Sequence, residues 1–228
     1  MIKNRSAPAL KRGLTPSAAM PDHRGLFISL DGPEGSGKSS QARRLVSALR
    51  RAGYRVVFLR DPGSTALGRA LRRVLLHTSG RLSPLTEALL FIGGRVQLVE
   101  ERIHPALVKR KVVVCDRFHD ATIAYQGFGG GLEVPWLDRL GQRAIHGVMP
   151  SLTIVLDVAT QAGFARLHRS HDRMERKAAV FHRRVRRGYL RLAKREPKRM
   201  VVVDASGAPE EVRRRIWMIV ARRLRLAY

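Results

Sequence analysis

The residues with the sharpest chemical meaning form one run, Gly32-Pro33-Glu34-Gly35-Ser36-Gly37-Lys38-Ser39, which satisfies G-x-x-x-x-G-K-[ST]. Glycines at these positions let successive backbone N–H groups curl around phosphate oxygens, an approach that a β-carbon would obstruct. In this pattern Lys38 is expected to reach the β and γ phosphates of a nucleoside triphosphate, and the Ser39 hydroxyl to bind Mg²⁺. Ser40 continues into a helix whose N-terminus adds the positive end of its dipole.

A phosphate loop can serve hydrolysis, switching or transfer, and the remaining sequence discriminates among them. A GTPase needs an N-K-x-D base reader, and the chain has none. A hydrolytic ATPase ends a later strand in Asp-Glu, where the glutamate activates water. Here the strand ends read Asp116-Arg117, Asp157-Val158 and Asp204-Ala205. Transfer to a second substrate is the remaining chemistry. A phosphate acceptor needs no general base, but its charge must be neutralised as two anions approach. Arg117 at a strand end, Arg95 on a helix and the arginines between Arg166 and Arg173 have that character. A closing segment there would also exclude water.

These groups need a scaffold, and the pattern of apolar residues supplies one. Strands are expected at 26–31, 55–59, 112–115, 152–156 and 200–203, and helices at 38–51, 85–108 and the C-terminus. A further helical pattern runs through Leu67, Leu71, Val74 and Leu75. Continuous β-branched runs separated by helices indicate strands buried on both faces of a parallel sheet. The expected fold is an α/β P-loop NTPase three-layer sandwich with a five-stranded parallel sheet and a mobile lid. Ligands then lie beyond the carboxyl ends of the strands, where Asp31, Asp116, Asp157 and Asp204 stand. For Asp157 and Asp204 a plain polar strand terminus is the preferred reading. Cys115 reads as buried strand filling, and the eight histidines show no metal-ligand spacing.

The segment Asp116-Arg-Phe-His-Asp-Ala-Thr-Ile-Ala-Tyr125-Gln126-Gly127 resembles the D-R-Y…A-Y-Q-G block of thymidylate kinases. Arg60-Asp-Pro-Gly-Ser-Thr65 is similar to their R-E-P-G-G-T turn, Phe91 with Arg95 to their F-x-x-D-R helix, and Asp172-Arg173-Met174-Glu175 to the end of their lid. Gly188-Tyr189-Leu190 and Asp204-Ala-Ser206 match later blocks. The resemblance runs from about Leu26 to the C-terminus. It implies ATP- and Mg²⁺-dependent phosphorylation of dTMP to dTDP. It further implies that Phe91 stacks on the base, that Arg95 hydrogen-bonds it or its neighbourhood, and that Asp61, Thr122 and Gln126 belong to the acceptor site. By the same resemblance Arg117 holds the acceptor phosphate, Asp116 lies near the metal or its waters, and Tyr125 lies under the deoxyribose and disfavours a 2′-hydroxyl. Glu34 is similar to the loop residue of members whose catalytic arginine comes from the lid, at about 163–176. Arg166 would pack on adenine, and Arg169 or Arg173 would reach the transferred phosphoryl group. Read without the family, Phe91 is rather a core residue, and Tyr125 is equally an ordinary half-buried tyrosine. Gly94, Leu98, Ala121 and Gly130 depart from the family pattern at places where it has Asp, His, Ser and Arg.

The charge is less easily absorbed. The 228 residues carry 44 Lys and Arg against 18 Asp and Glu, a formal net charge of +26. From Arg183 onward 15 residues are basic and four acidic. A solvated arginine-rich surface is the plain reading and a nucleic-acid contact the sharper one. Aromatic residues do not alternate with these arginines along the chain in the way that a single-strand binding groove requires. Residues 1–24 read as a basic disordered tail, with a targeting peptide as the competing reading, and residues 25–228 as one kinase domain. No apolar run reaches the roughly 18–20 residues of a membrane span. A lone cysteine and no membrane span suit a cytoplasmic location. A homodimer through the long helix is implied by the resemblance. The rival functions are a related kinase with another acceptor, such as dUMP, and a basic nucleic-acid-binding protein that has lost kinase activity.

Overall fold

A computed structural model describes residues 25–167 and 172–224. The basic segment 1–24 and Arg169 lie outside the described residues. Five strands, β1 (Phe27–Asp31), β2 (Val56–Arg60), β3 (Val112–Asp116), β4 (Leu152–Asp157) and β5 (Met200–Asp204), form one parallel sheet in the order β2-β3-β1-β4-β5. Its faces are separated by the two-residue period of the strands. Ile28, Leu30, Val112, Val114, Leu152, Ile154 and Leu156 point to one face. There they meet Leu45 and Leu49 of α1 (Lys38–Arg51) and Val212, Ile216 and Val220 of α9 (Pro209–Leu224). Phe27, Val113 and Cys115 point to the other face. The expected three-layer sandwich is therefore the one observed.

The second face is covered by α2 (Ala66–His77), α3 (Pro84–Leu98), α4 (His104–Val108), α5 (His119–Thr122), α6 (Val134–Ala144) and α8 (Ala179–Arg195), while α7 (Thr160–Ala165) packs on α8 and against the loop after β1. The helix expected over 85–108 runs as α3 and α4 joined by a π-helical turn at Val99–Ile103. Pro105 has no N–H for the carbonyl four residues back, so the helix widens just before it. A second π-helical turn, Ile123–Gly129, follows α5 and holds Tyr125 and Gln126. Helices α5, α6, α7 and α8, and both π turns, have no counterpart in the sequence reading. In α8 the arginines mask the apolar stripe of Phe181, Val185, Tyr189 and Leu192, whose side chains are buried.

This topology places the chemistry. The chain leaves β1 toward β2 on one side, and leaves β3 toward β4 on the other. The crevice between the carboxyl ends of β1 and β3 is thus a topological switch point. The phosphate loop follows β1, while Asp116 ends β3 in register with Leu30 of β1 and Arg60 of β2.

Candidate active site

The phosphate loop is wound by left-handed backbone at Gly35 (φ 67°) and Gly37 (φ 83°), which only glycine adopts without strain. It lies backbone to backbone against α7, since a β-carbon on Gly35 would stand 1.8 Å from the carbonyl oxygen of Gly163. Lys38 Nζ folds over the loop and donates to the Pro33 carbonyl (2.6 Å) and Ser36 Oγ (3.2 Å). Burial and the nearby Arg117 bring the Lys38 ammonium down to about 8. Ser39 Oγ donates to Asp116 Oδ2 at 2.6 Å. A hydroxyl and a carboxylate are hard oxygen donors that suit Mg²⁺. Among the described residues no cluster of three His, Cys, Asp or Glu could hold a metal. Two such donors suit a Mg²⁺ ion that would take its other ligands from nucleotide oxygens and water.

Beside the loop stands a group of guanidinium ions. Arg117 has φ 69°, a conformation that a non-glycine residue holds only when its surroundings impose it. Its Nη2 lies 3.1 Å from both oxygens of Glu34, and its Cζ lies 5.0 Å from the centre of the Tyr125 ring. Tyr125 in turn donates its hydroxyl to Glu34 Oε1 at 2.5 Å. Burial pushes the Glu34 carboxyl upward, but Arg117, Lys38 and the Tyr125 hydrogen bond outweigh it and hold it down at about 2. Arg60 Nε donates to Asp116 Oδ2 (3.1 Å), and Arg72 Nη1 to the Pro62 carbonyl (3.3 Å). Burial, then Arg60 and Arg117, lower the affinity of Arg72 for its proton. Three cations facing one another in this way make a site for an anion.

Further along, Arg95 is almost wholly buried (2%). Its Nε donates to Asp61 Oδ2 (2.5 Å) and its Nη2 to Thr122 Oγ1 (2.9 Å), which leaves Nη1 with no protein partner. Gln126 is oriented likewise. Its Nε2 donates to Glu87 Oε2 at 3.0 Å, and its buried Oε1 has no partner. A buried donor and a buried acceptor left open are costly unless a ligand completes them. Both belong to one cleft of about 810 Å³ that runs from Ser39 and Val212 to Phe91 and Gln126.

A family profile described as thymidylate kinase matches residues 30–216. A thymidylate kinase of Synechococcus sp. (strain JA-3-3Ab) is 48% identical over 199 residues, covering 87% of this chain and 97% of the relative. One from Deinococcus radiodurans is 44% identical over 202 residues, covering 88% and 98%. The crystal structure of thymidylate kinase from Ehrlichia chaffeensis superposes with a TM-score of 0.71 at 32% identity, covering 86% of this chain and 98% of that one. The chain belongs to the thymidylate kinase family.

Membership makes it a phosphotransferase of the nucleoside monophosphate kinase group, and its site residues can be placed on that footing. Glu34, Gly35, Ser36, Gly37, Lys38, Ser39 and Ser40 line one end of the cleft, with Gly32 and Pro33 in the turn beneath. Arg166 also lines it, donating to the carbonyls of Ala205 (2.8 Å) and Ser206 (2.7 Å). Asp61, Phe91, Arg95, Asp116, Arg117, Thr122, Tyr125 and Gln126 line the rest. Arg173, of the two arginines expected to reach the phosphoryl group the one among the described residues, is engaged by the protein itself. Its Nη1 donates to Glu87 (2.7 Å) and its Nε to the Leu75 carbonyl (2.8 Å). Its guanidinium is thus held between the end of α2 and the buried Glu87 carboxylate of α3.

The family departures have structural company. A β-carbon at Gly94 would meet Leu71 Cδ1 at 3.1 Å, Leu98 is buried in the core, and Ala121 lines the cleft. A β-carbon at Gly130 would stand 2.7 Å from the Gln126 carbonyl. Asp157 is paired with Arg186 and Asp204 caps the N–H of Ser206, in line with polar strand ends. Sequence reasoning missed Arg60, Arg72 and Glu87. Arg60 stood within the quoted turn and could have been found there, whereas nothing along the chain distinguishes Arg72 or Glu87 from other helix-surface charges.

Proposed function

We propose that this thymidylate kinase family member transfers the terminal phosphoryl group of ATP to dTMP, giving ADP and dTDP. The observation that carries the reading is the continuity of the cleft. A phosphate loop, a cationic centre and a pocket with an open guanidinium donor and an open amide acceptor stand in one 810 Å³ space. Lys38 and the loop N–H groups would hold the donor phosphates, and Arg117 with Arg60 and Arg72 would neutralise the acceptor phosphate. In the transfer the bond from the γ phosphorus to its bridging oxygen breaks as one to an acceptor phosphate oxygen forms. Mg²⁺, held near Ser39 and Asp116, would neutralise charge on the donor phosphates. Phe91 and the open edges of Arg95 and Gln126 suit a planar base that both accepts and donates hydrogen bonds.

The test is release of ADP across a panel of nucleoside monophosphates, with Lys38→Ala as control. dTMP should stimulate turnover most and the Lys38 variant should be nearly silent. Preference for dUMP or another monophosphate would move the acceptor assignment. Turnover no higher than with ATP alone would remove the kinase reading.

A further inference from the structure

Helix α8 holds seven Lys and Arg residues and no Asp or Glu. Arg186 is engaged with Asp157. Arg184, Arg187 and Arg191, at steps of three and four residues, share one face and are exposed. Among the described residues none of the three forms an ion pair. They line a second cavity of about 230 Å³, away from the catalytic cleft, together with the ring of Phe128. That ring comes from the π-helical turn, lies half-buried, and packs on Gly188 so closely that a β-carbon there would stand 2.7 Å from its Cδ2. The Arg191 Cζ lies 6.0 Å from the ring centre. An aromatic platform thus sits among arginines whose own aromatic neighbour along the chain, Tyr189, is buried in the core.

We propose that this groove binds single-stranded nucleic acid, with Arg184, Arg187 and Arg191 on successive phosphates and a base stacked on Phe128. The three arginines span roughly 10 Å of helix, the reach of about three phosphates on one strand. Flat aromatic faces beside a cationic track are what a single strand requires, since every base has a face to stack. Anionic lipid fits less well. A basic helix binds a membrane by sinking its apolar face into it, and the apolar face of α8 is occupied by the protein core, with Val185 and Tyr189 fully buried.

The experiment is fluorescence anisotropy of the full chain with a labelled deoxycytidine homopolymer of about twenty nucleotides, longer than one groove needs. Replacing Arg184, Arg187 and Arg191 together by Gln should weaken binding at least about tenfold and lower the log–log salt slope by about two, from roughly 0.7 per phosphate contact. Kinase turnover of the variant should be unchanged, which also reports that it is folded. Phe128→Leu keeps an apolar contact with Gly188; it should weaken binding about tenfold while leaving the salt slope alone. A control triple, Arg43→Gln with Arg51→Gln and Arg55→Gln, removes the same charge from the other side of the sheet and should have little effect. Equal loss in the control would show diffuse charge attraction and overturn the proposal. So would absence of binding by the unmodified chain, or binding to phosphatidylserine vesicles that the oligonucleotide does not displace.

Discussion

Lys38 and Glu34 share one buried loop, and burial disfavours the charge of both, yet their neighbours send them different ways. Glu34 meets Arg117 and the Tyr125 hydroxyl and stays ionised, while Lys38 loses proton affinity to burial and to Arg117. A bound triphosphate would favour the charged ammonium, so ATP binding should be accompanied by proton uptake above about pH 8, between the lowered value and the ordinary 10.5. Titration calorimetry at about pH 9 in buffers of different ionisation heat should show it. Lys38→Arg, charged throughout, should abolish the uptake, and a buffer-independent heat for the unmodified protein would contradict the assignment. Arg117 carries a different prediction. Arg117→Ala should leave ATP affinity nearly intact and lower transfer by about 10²–10³-fold, the usual cost of losing one charge-stabilising donor. Because it also strands Glu34, the double variant with Glu34→Gln separates the two effects. Recovery in the double variant would mean that repulsion by Glu34, and not loss of the guanidinium, caused the defect.

Between elements the decisive contacts are close packing and shared carboxylates. Helix α7 touches the phosphate loop at Gly163, where a β-carbon would lie 2.3 Å from the Glu34 carbonyl oxygen. Gly163→Ala should therefore cost about 1–3 kcal/mol of stability, as overpacking does. It should also weaken ATP binding, measurable by urea unfolding with and without nucleotide. Undiminished ATP affinity would mean that the loop can give way. Glu87 on α3 is the second such point, accepting from Gln126, Arg173 and Lys177. It ties the segment after residue 171 to the end of the cleft lined by Phe91 and Gln126. Burial raises its carboxyl, but those hydrogen bonds prevail and lower it. As a positioning residue, Glu87→Gln should raise the acceptor KM about tenfold, the worth of roughly one hydrogen bond, with the ATP KM little changed. A parallel rise in both would indicate general loss of structure.

For the molecule as a whole, charge and exposed apolar area point to surfaces beyond the cleft. Leu67 and Val74 on α2 and Leu85 and Leu89 on α3 are 42–50% exposed, and the two helices are neighbours. We propose α3, the first part of the long helix, with its neighbour α2 as the contact of a homodimer, which would cover these exposed apolar side chains. Sedimentation velocity should then show a species of twice 25.6 kDa, and Leu89→Lys should shift it toward the monomer. A monomer at all accessible concentrations would remove the proposal. The described helices include none long and apolar enough to cross a membrane.

Local rules carried the sequence reading far, because they act over a few residues. The phosphate loop needs its glycines in consecutive order, and buried parallel strands need unbroken β-branched runs, so the loop, α1 and all five strands were legible to within a residue. The block from Asp116 to Gln126 was equally plain through its resemblance. The order of the strands, the gathering of Arg60 and Arg72 beside Arg117, and the grip of Glu87 on Gln126 and Arg173 were decided by tertiary structure. Each joins side chains that the chain keeps far apart, and helix-surface charges carry no mark of what they will face. The phosphate loop itself shows the division. Its sequence determined a backbone able to cradle phosphate, whereas the partners folded against Lys38, Ser39 and Glu34 decided their ionisation and orientation.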